Sequence, residues 1–151
     1  MDVFGLKISD RPLTNYELVD YAKRLKIPDF RGLFMIDTLL KLSKKRECGI
    51  VNFSLSKDDG THWVCYFKDN SIKIYFDSYG QITPLQIQNY LKTKRERGTA
   101  VIQRNTDVVQ PTNTSICGHL CLFVLKALSG RRWSFQQVLN NLNADIDHGS
   151  S

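Results

Sequence analysis

A cysteine that does covalent chemistry must reach its thiolate form, and the unpaired N–H groups at a helix N-terminus stabilise that form. Cys117 stands where such a helix should begin. From it onward Leu120, Cys121, Val124, Leu125 and Leu128 recur with a helical period, and Gly130 follows as the expected terminator. Leu122 and Phe123 widen the apolar stripe, so this helix should be buried on most sides. Gly118 leaves the backbone beside the thiol open to close approach. The run Pro-Thr-Asn-Thr-Ser before it is loop chemistry with side chains able to cap the helix. On this stretch alone the better-supported role of Cys117 is packing, as the first small apolar residue of the stripe.

A nucleophilic cysteine also needs a base, and the base needs a group to orient it. The chain has three histidines. His148 lies in the C-terminal tail, and His119 is two residues beyond Cys117 on the same helix, so it points elsewhere. His62 remains. It opens a strand, Thr61 to Lys68, that is followed by a second, Ser71 to Asp77, with a turn at Asp69-Asn70. In that register Trp63 faces Phe76, Cys65 faces Ile74 and Phe67 faces Ile72 on one apolar side. Val64 opposite Tyr75 and Tyr66 opposite Lys73 make the other side, and His62 falls opposite Asp77, with Cβ atoms roughly 5 Å apart. Such a pair can be a cross-strand surface contact of little worth. Together with a helix-start cysteine it has the composition of a catalytic triad in its thiol form. An oxyanion formed at Cys117 would need donors, which the Cys117 N–H and the amide of Gln110 could supply. Cys65 and Cys121 read as packing residues, and Cys48, at the start of a strand, has no assigned role.

The elements that must position these residues are legible in part. Thr14 and Glu17 form a capping box, with Leu13 and Leu18 as its staple, for a helix near 15–26 that Pro28 stops. Residues 1–13 show no clear period. Phe30 to Phe34 reads as a turn or short extended piece, Thr38 to Leu42 as a helical turn, and Cys48 to Leu55 as a buried strand. Lys57-Asp-Asp-Gly is a turn, as is Tyr79-Gly80. Thr83 and Gln86, with Pro84 at the first helical position, start a helix near 84–94 whose buried face is Ile87, Tyr90 and Leu91, and Gly98 closes the basic run after it. Ala100 to Val109 looks extended. Ser134 and Gln137 cap a last helix with the face Phe135, Val138, Leu139 and Leu142, and residues 143–151 read as a frayed tail ending in Gly-Ser-Ser.

The 151 residues, 42% apolar and 24% charged, read as a single domain, 1–151, with enough chain for a real core. The longest apolar run is too short to span a bilayer, and the N-terminus has no secretory pattern, so reduced thiols and an intracellular, non-secreted protein are expected. The net charge of +6 gathers at Lys41, Lys44, Lys45 and Arg46, and at Lys92, Lys94, Arg95 and Arg97. Such clusters are usually solvated faces, and contact with DNA phosphates is the other reading.

The order Gly60-Thr-His-Trp63, Phe76-Asp-Ser-Tyr-Gly80, then Val109-Gln110 with Cys117-Gly118 seven residues after the glutamine resembles the adenovirus-type (adenain-like) cysteine proteases. These belong to the clan of ubiquitin-like-protein proteases, and the likeness is to the compact forms of adenoviruses, virophages and Polinton-type elements. It covers roughly residues 30–130, and Phe30 to Phe34 is similar to a segment those enzymes place near the active site. The resemblance implies an α+β fold with a mixed central sheet flanked by helices, a papain-like core. It implies Cys117 as nucleophile, His62 as base and then acid, Asp77 as its orienter, and Gln110 with the Cys117 N–H as the oxyanion hole. Trp63 and Gly118 are expected beside the substrate. Adenoviral members usually carry glutamate where this chain has Asp77, as the ubiquitin-like-protein proteases do. The function implied is a thiol endopeptidase that processes capsid or scaffold precursors during virion maturation, a monomer packaged in the virion. No cofactor or metal is needed for that chemistry. Adenoviral relatives are activated by DNA and by a peptide attached through a cysteine in the strand before the glutamine. Residues 100–109 contain no cysteine, which puts that attachment in doubt and leaves a peptide or DNA activator open.

Two other functions compete. One is a protease for ubiquitin-like modifiers. The other is a zinc-stabilised nucleic-acid-binding module, suggested by His62-x2-Cys65 and by Cys117 and Cys121 one helical turn apart. Cys65 lies on the opposite strand face from His62, which argues against the second.

Overall fold

The computed structural model describes residues 1–53, 62–93, 98, 101–111, 114–130 and 132–149, with side chains as far as residue 143. The sequence reading of a turn at Lys57-Asp-Asp-Gly, the end of the strand at Leu55, and the basic run at Lys94, Arg95 and Arg97 lie outside the described residues.

The centre is a mixed five-stranded sheet of β3 (Phe30–Met35), β4 (Arg46–Asn52), β5 (Trp63–Asp69), β6 (Ile72–Phe76) and β7 (Gln103–Arg104), in that order. The β3–β4 and β6–β7 pairs are parallel, and β4, β5 and β6 run antiparallel. Alternation along these strands feeds two cores. Cys48, Ile50, Trp63, Cys65, Ile74 and Phe76 meet the helices α1 (Asn15–Arg24), α3 (Cys117–Ser129) and α4 (Phe135–Gly149). On the other face Val51, Val64, Tyr66 and Tyr75 meet α2 (Leu85–Leu91) through Ile87, Tyr90 and Leu91. A small hairpin of β1 (Asp2–Val3) and β2 (Leu6–Lys7) adds Val3 to the first core, where the sequence showed no period.

The hairpin that carries the candidate base corrects the sequence reading. The ladder pairs Asp69 with Ile72 and Cys65 with Phe76, so the turn is Asn70-Ser71 and the pairing is two residues away from the expected register. Asn70 has φ 56°. A two-residue hairpin turn needs positive φ at its first central position, and asparagine tolerates it better than most side chains. Because strand faces alternate with a period of two, the shift leaves both predicted faces intact. It does move the position opposite His62 from Asp77 to Tyr79.

Local signals fared unevenly. The Thr14–Glu17 capping box is present in both directions, and Ser134 and Gln137 cap α4 in the same way. Residues 38–42 form no helical turn, and Phe30–Met35 is a full strand because β4 supplies its ladder. Pro84 is the N-cap of α2 rather than its first residue, and no side chain caps that end, so the predicted Thr83 cap is absent. Among the described residues 101–109 only Gln103 and Arg104 form a strand, the two-residue β7. Among the described residues none caps α3 with a side chain either: Ile116 is the N-cap and makes no side-chain cap hydrogen bond. Gly130 closes α3 in ordinary right-handed geometry, not as a left-handed glycine. Helix α4 continues through residues 143–149, where no proline breaks it before Gly149.

Candidate active site

The candidate residues come from three places: the start of β5, the end of β6 and the start of α3. Cys117, the first residue of α3, is buried, and the Trp63 N–H points at its Sγ from 3.5 Å. Trp63 thus fixes the height of the thiol over the β5 end, which brings the preceding residue, His62, alongside it. His62 Nε2 lies 2.7 Å from Asp77 Oδ1, leaving Nδ1 for the thiol side. The contact forms although the two are not opposite in the ladder. On a strand pair a diagonal neighbour on the same face remains within reach of a long side chain.

Asp77 is nearly inaccessible and held from several sides. Its Oδ1 also accepts the Tyr79 N–H at 2.8 Å. The buried Asn105 side chain accepts from the Asp77 N–H at 3.1 Å and donates to the Asp77 carbonyl at 2.6 Å. The His62 ring stacks on Tyr79 at 4.7 Å between centroids and meets Phe53 edge-on at 6.2 Å. Burial alone would lower the basicity of His62. Hydrogen bonding to Asp77 and Cys117 outweighs it and pushes the pKa up to about 9. The protonated imidazolium is therefore the favoured form at neutral pH.

Gln110 is buried as well. Its Oε1 accepts from Ser78 Oγ at 2.7 Å and its Nε2 donates to the Thr114 carbonyl at 2.7 Å. A carbonyl can only accept, so the amide orientation is set by chemistry. The Ser78 carbonyl accepts from the Val109 and Gln110 N–H groups at 2.8 and 3.1 Å, tying the loop to the end of β6. Gly80 makes this crossing feasible. It has φ 67°, and a Cβ there would stand 2.7 Å from the Thr106 carbonyl oxygen.

The two residues expected beside substrate both pack closely against their neighbours. Trp63 belongs to the main core, and a Cβ on Gly118 would come within 2.9 Å of Leu18 and 3.3 Å of Trp63. Glycine is needed there so that α3 can approach α1 and β5. His119 does point away from the thiol: it is fully buried, with Nε2 2.6 Å from the Ser9 carbonyl, and burial lowers its pKa. Cys65 and Cys121 sit in the core as read, and burial pushes the Cys121 thiol up. Cys48 gains a role, packing in the same core with its thiol toward the Pro28 carbonyl. Among the described residues no three His, Cys, Asp or Glu side chains converge to hold a metal ion. Sequence reasoning missed Ser78, Tyr79, Asn105 and Thr114. Adjacency to Asp77 could have flagged the first two, whereas nothing local marks Asn105, 28 residues away.

The chain is similar to known proteins in fold and in sequence. Its fold is similar to one already solved: it superposes on the crystal structure of the ASFV pS273R protease with a TM-score of 0.58 at 16% identity, covering 87% of this chain and 62% of that one. A selenomethionine crystal structure of the same protease gives 0.54 at 17% identity over the same shares. In sequence the chain is 25% identical over 113 residues to a protease of Bovine adenovirus 2, covering 68% of this chain and 54% of the relative. No protein-family model matches. The resemblance to the adenain-like proteases is thereby borne out, as is the α+β fold with a mixed sheet. The chain spans about half the length of the adenovirus protease.

Proposed function

We propose that the chain is a cysteine endopeptidase. The observation that carries this reading is His62, held by Asp77 at 2.7 Å on one nitrogen and facing the helix-start thiol with the other, its protonated form favoured. In the reaction the Cys117 thiolate attacks the scissile carbonyl carbon, and the negative charge moves to the carbonyl oxygen. The Cys117 N–H and the second N–H of the Gln110 amide receive that oxygen. His62 Nδ1–H passes its proton to the leaving amine as the C–N bond breaks, leaving a thioester. The now neutral imidazole takes a proton from water, the water oxygen attacks the thioester, and the thiolate departs paired again with protonated His62. Asp77 keeps the ring oriented and stabilises its cationic form.

For the substrate we favour a viral capsid or scaffold precursor, on the strength of the likeness to an adenovirus protease. Virion packaging and a monomeric state belong to the same proposal. The chemistry needs no metal or cofactor, and activation by DNA or a peptide is assayed by adding each to the purified chain. Among the described residues no helix is long and apolar enough to cross a membrane. Replacing Cys117 with alanine should abolish cleavage of a co-expressed precursor while leaving circular dichroism unchanged; cleavage that persists places the nucleophile elsewhere. A protease for ubiquitin-like modifiers is the second reading, favoured by an aspartate at position 77. Rapid, specific cleavage of a panel of ubiquitin-like fusions would establish it over the capsid reading.

A further inference from the structure

Asp77, Ser78 and Tyr79 follow one another at the end of β6, and their contacts divide the site between them. Asp77 bonds His62, Ser78 bonds Gln110, and Tyr79 touches both members of the acid–base pair. In the sequence Tyr79 stood in a turn and within the Phe76-to-Gly80 motif with no role of its own, and the proposed mechanism does not use it. Tyr79 is 39% exposed, so burial does not explain where its ring lies. It is laid against the imidazole of His62 with centroids 4.7 Å apart and planes at 30°.

We infer that Tyr79 is a positioning residue for the acid–base pair: its ring backs the His62 imidazole, while its main-chain N–H fixes the Asp77 oxygen to which that imidazole is bonded. This deepens, and rests on, the cysteine endopeptidase reading. The hydrogen bond to Asp77 anchors His62 at one atom, about which the ring can still rotate. The stack sets the ring plane, and the two together fix the direction in which Nδ1 points. Phe53 bounds the ring edge-on at 6.2 Å and 66°. An aromatic face also attracts a cation, so the stack favours the imidazolium over neutral imidazole. Among the described residues the ionisable groups facing His62 are Asp77 from the end of β6, Cys117 from α3 and the Tyr79 phenol itself.

The test needs no substrate. Iodoacetate is an anion, so its attack by the Cys117 thiolate is favoured while His62 carries its proton, and the alkaline limb of the rate–pH profile reports His62. Carboxymethylation of Cys117, followed by peptide mass mapping, is measured across pH for the whole chain and for Tyr79→Phe and Tyr79→Leu. The His62 ring resonance is titrated alongside by NMR. Phenylalanine keeps the aromatic face, whereas leucine keeps only apolar bulk, and neither removes the main-chain N–H. Tyr79→Leu should bring the alkaline limb and the NMR midpoint down by about half a pH unit, as expected for one cation–aromatic contact. Tyr79→Phe should restore both. Should Tyr79→Leu lose its fold by circular dichroism, Tyr79→Met takes its place with the same expected shift. A leucine or methionine variant that coincides with wild type overturns the inference, as does a phenylalanine variant that shifts as far as leucine. If wild-type Cys117 reacts no faster than the other three cysteines, the endopeptidase reading falls and this inference with it. A fast, bell-shaped wild-type profile that Tyr79→Leu leaves unmoved sinks the inference alone.

Discussion

At the scale of single residues, the site depends on a cation kept in a mostly buried place. Burial would discharge His62, and its hydrogen bonds to Asp77 and Cys117 keep it charged to about pH 9. Replacing Asp77 with asparagine preserves the shape and removes the charge. The alkaline limb of thiol reactivity should then move down from about 9, and turnover should fall by about 10²-fold, the usual scale for impaired acid–base catalysis. Three of the thiols should separate as well. At mildly acidic pH, iodoacetamide should label Cys117 ahead of Cys48 and Cys121, whose thiols burial pushes up. Ser78 offers a contrast with Asp77, because its hydroxyl orients only the Gln110 amide. Ser78→Ala should lower kcat by about tenfold with little change in KM, a fraction of what losing an oxyanion donor costs. Alkylation, which forms no oxyanion, should be unaffected, and an equal loss of both rates would show that Ser78 supports the whole site.

At the scale of elements, the critical construction is the crossing of the β6 end by the loop 105–110. Gly80 turns the chain at φ 67° beneath the carbonyls of Thr106 and Asp107, and Asn105 bonds both main-chain groups of Asp77. Gly80→Ala puts a methyl into strained backbone and against a carbonyl oxygen. It should cost about 1–3 kcal/mol of stability, read as a fall in the thermal midpoint of several degrees. An unchanged midpoint would mean that the two segments are not locked together at this point. This crossing explains how far each residue of the site could be read from sequence. Cys117, His62, Asp77 and Gln110 each carried a local signal of residue type and place in an element. Asn105 and Thr114 act through contacts that exist only after the loop has folded back.

At the scale of the whole molecule, a second buried polar cluster lies on the face of the sheet away from α3. Glu47 is 1% exposed and accepts from Arg31 at 2.8 Å, from the hydroxyls of Tyr66 and Tyr90 at 2.5 and 2.7 Å, and from the Lys44 N–H at 2.5 Å. Burial works to raise its pKa, and these four donors outweigh it, so the net shift is downward. The cluster joins β3, β4, β5 and α2, which local sequence cannot reveal, since Arg31 and Tyr90 are 59 residues apart. A carboxylate with a depressed pKa contributes stability that is present above its unfolded value and lost as pH falls through the folded one. His62 has the opposite sign: its contribution is complete below about pH 6.5 and is lost as pH rises through about 9. The urea midpoint should therefore fall on both sides of neutrality. Glu47→Leu, which takes the counter-ion from Arg31 and the shared acceptor from the Tyr66 and Tyr90 hydroxyls, should cost about 3–5 kcal/mol and flatten the acid side only. A midpoint that still falls as steeply in acid would assign that limb to other carboxylates.

The sequence by itself determined the apolar faces, the capped ends of α1 and α4, the buried helix behind Cys117, and the four residue types from which a thiol site is built. These are short-range properties, set by side-chain periodicity and by hydrogen bonds reaching three residues along the chain. Tertiary structure alone decided the hairpin register, and with it that His62 reaches Asp77 diagonally while Tyr79 lies against its ring. A two-residue slip changes neither face of a strand, so hydrophobic patterning cannot distinguish the two registers; the backbone conformation of Asn70 does.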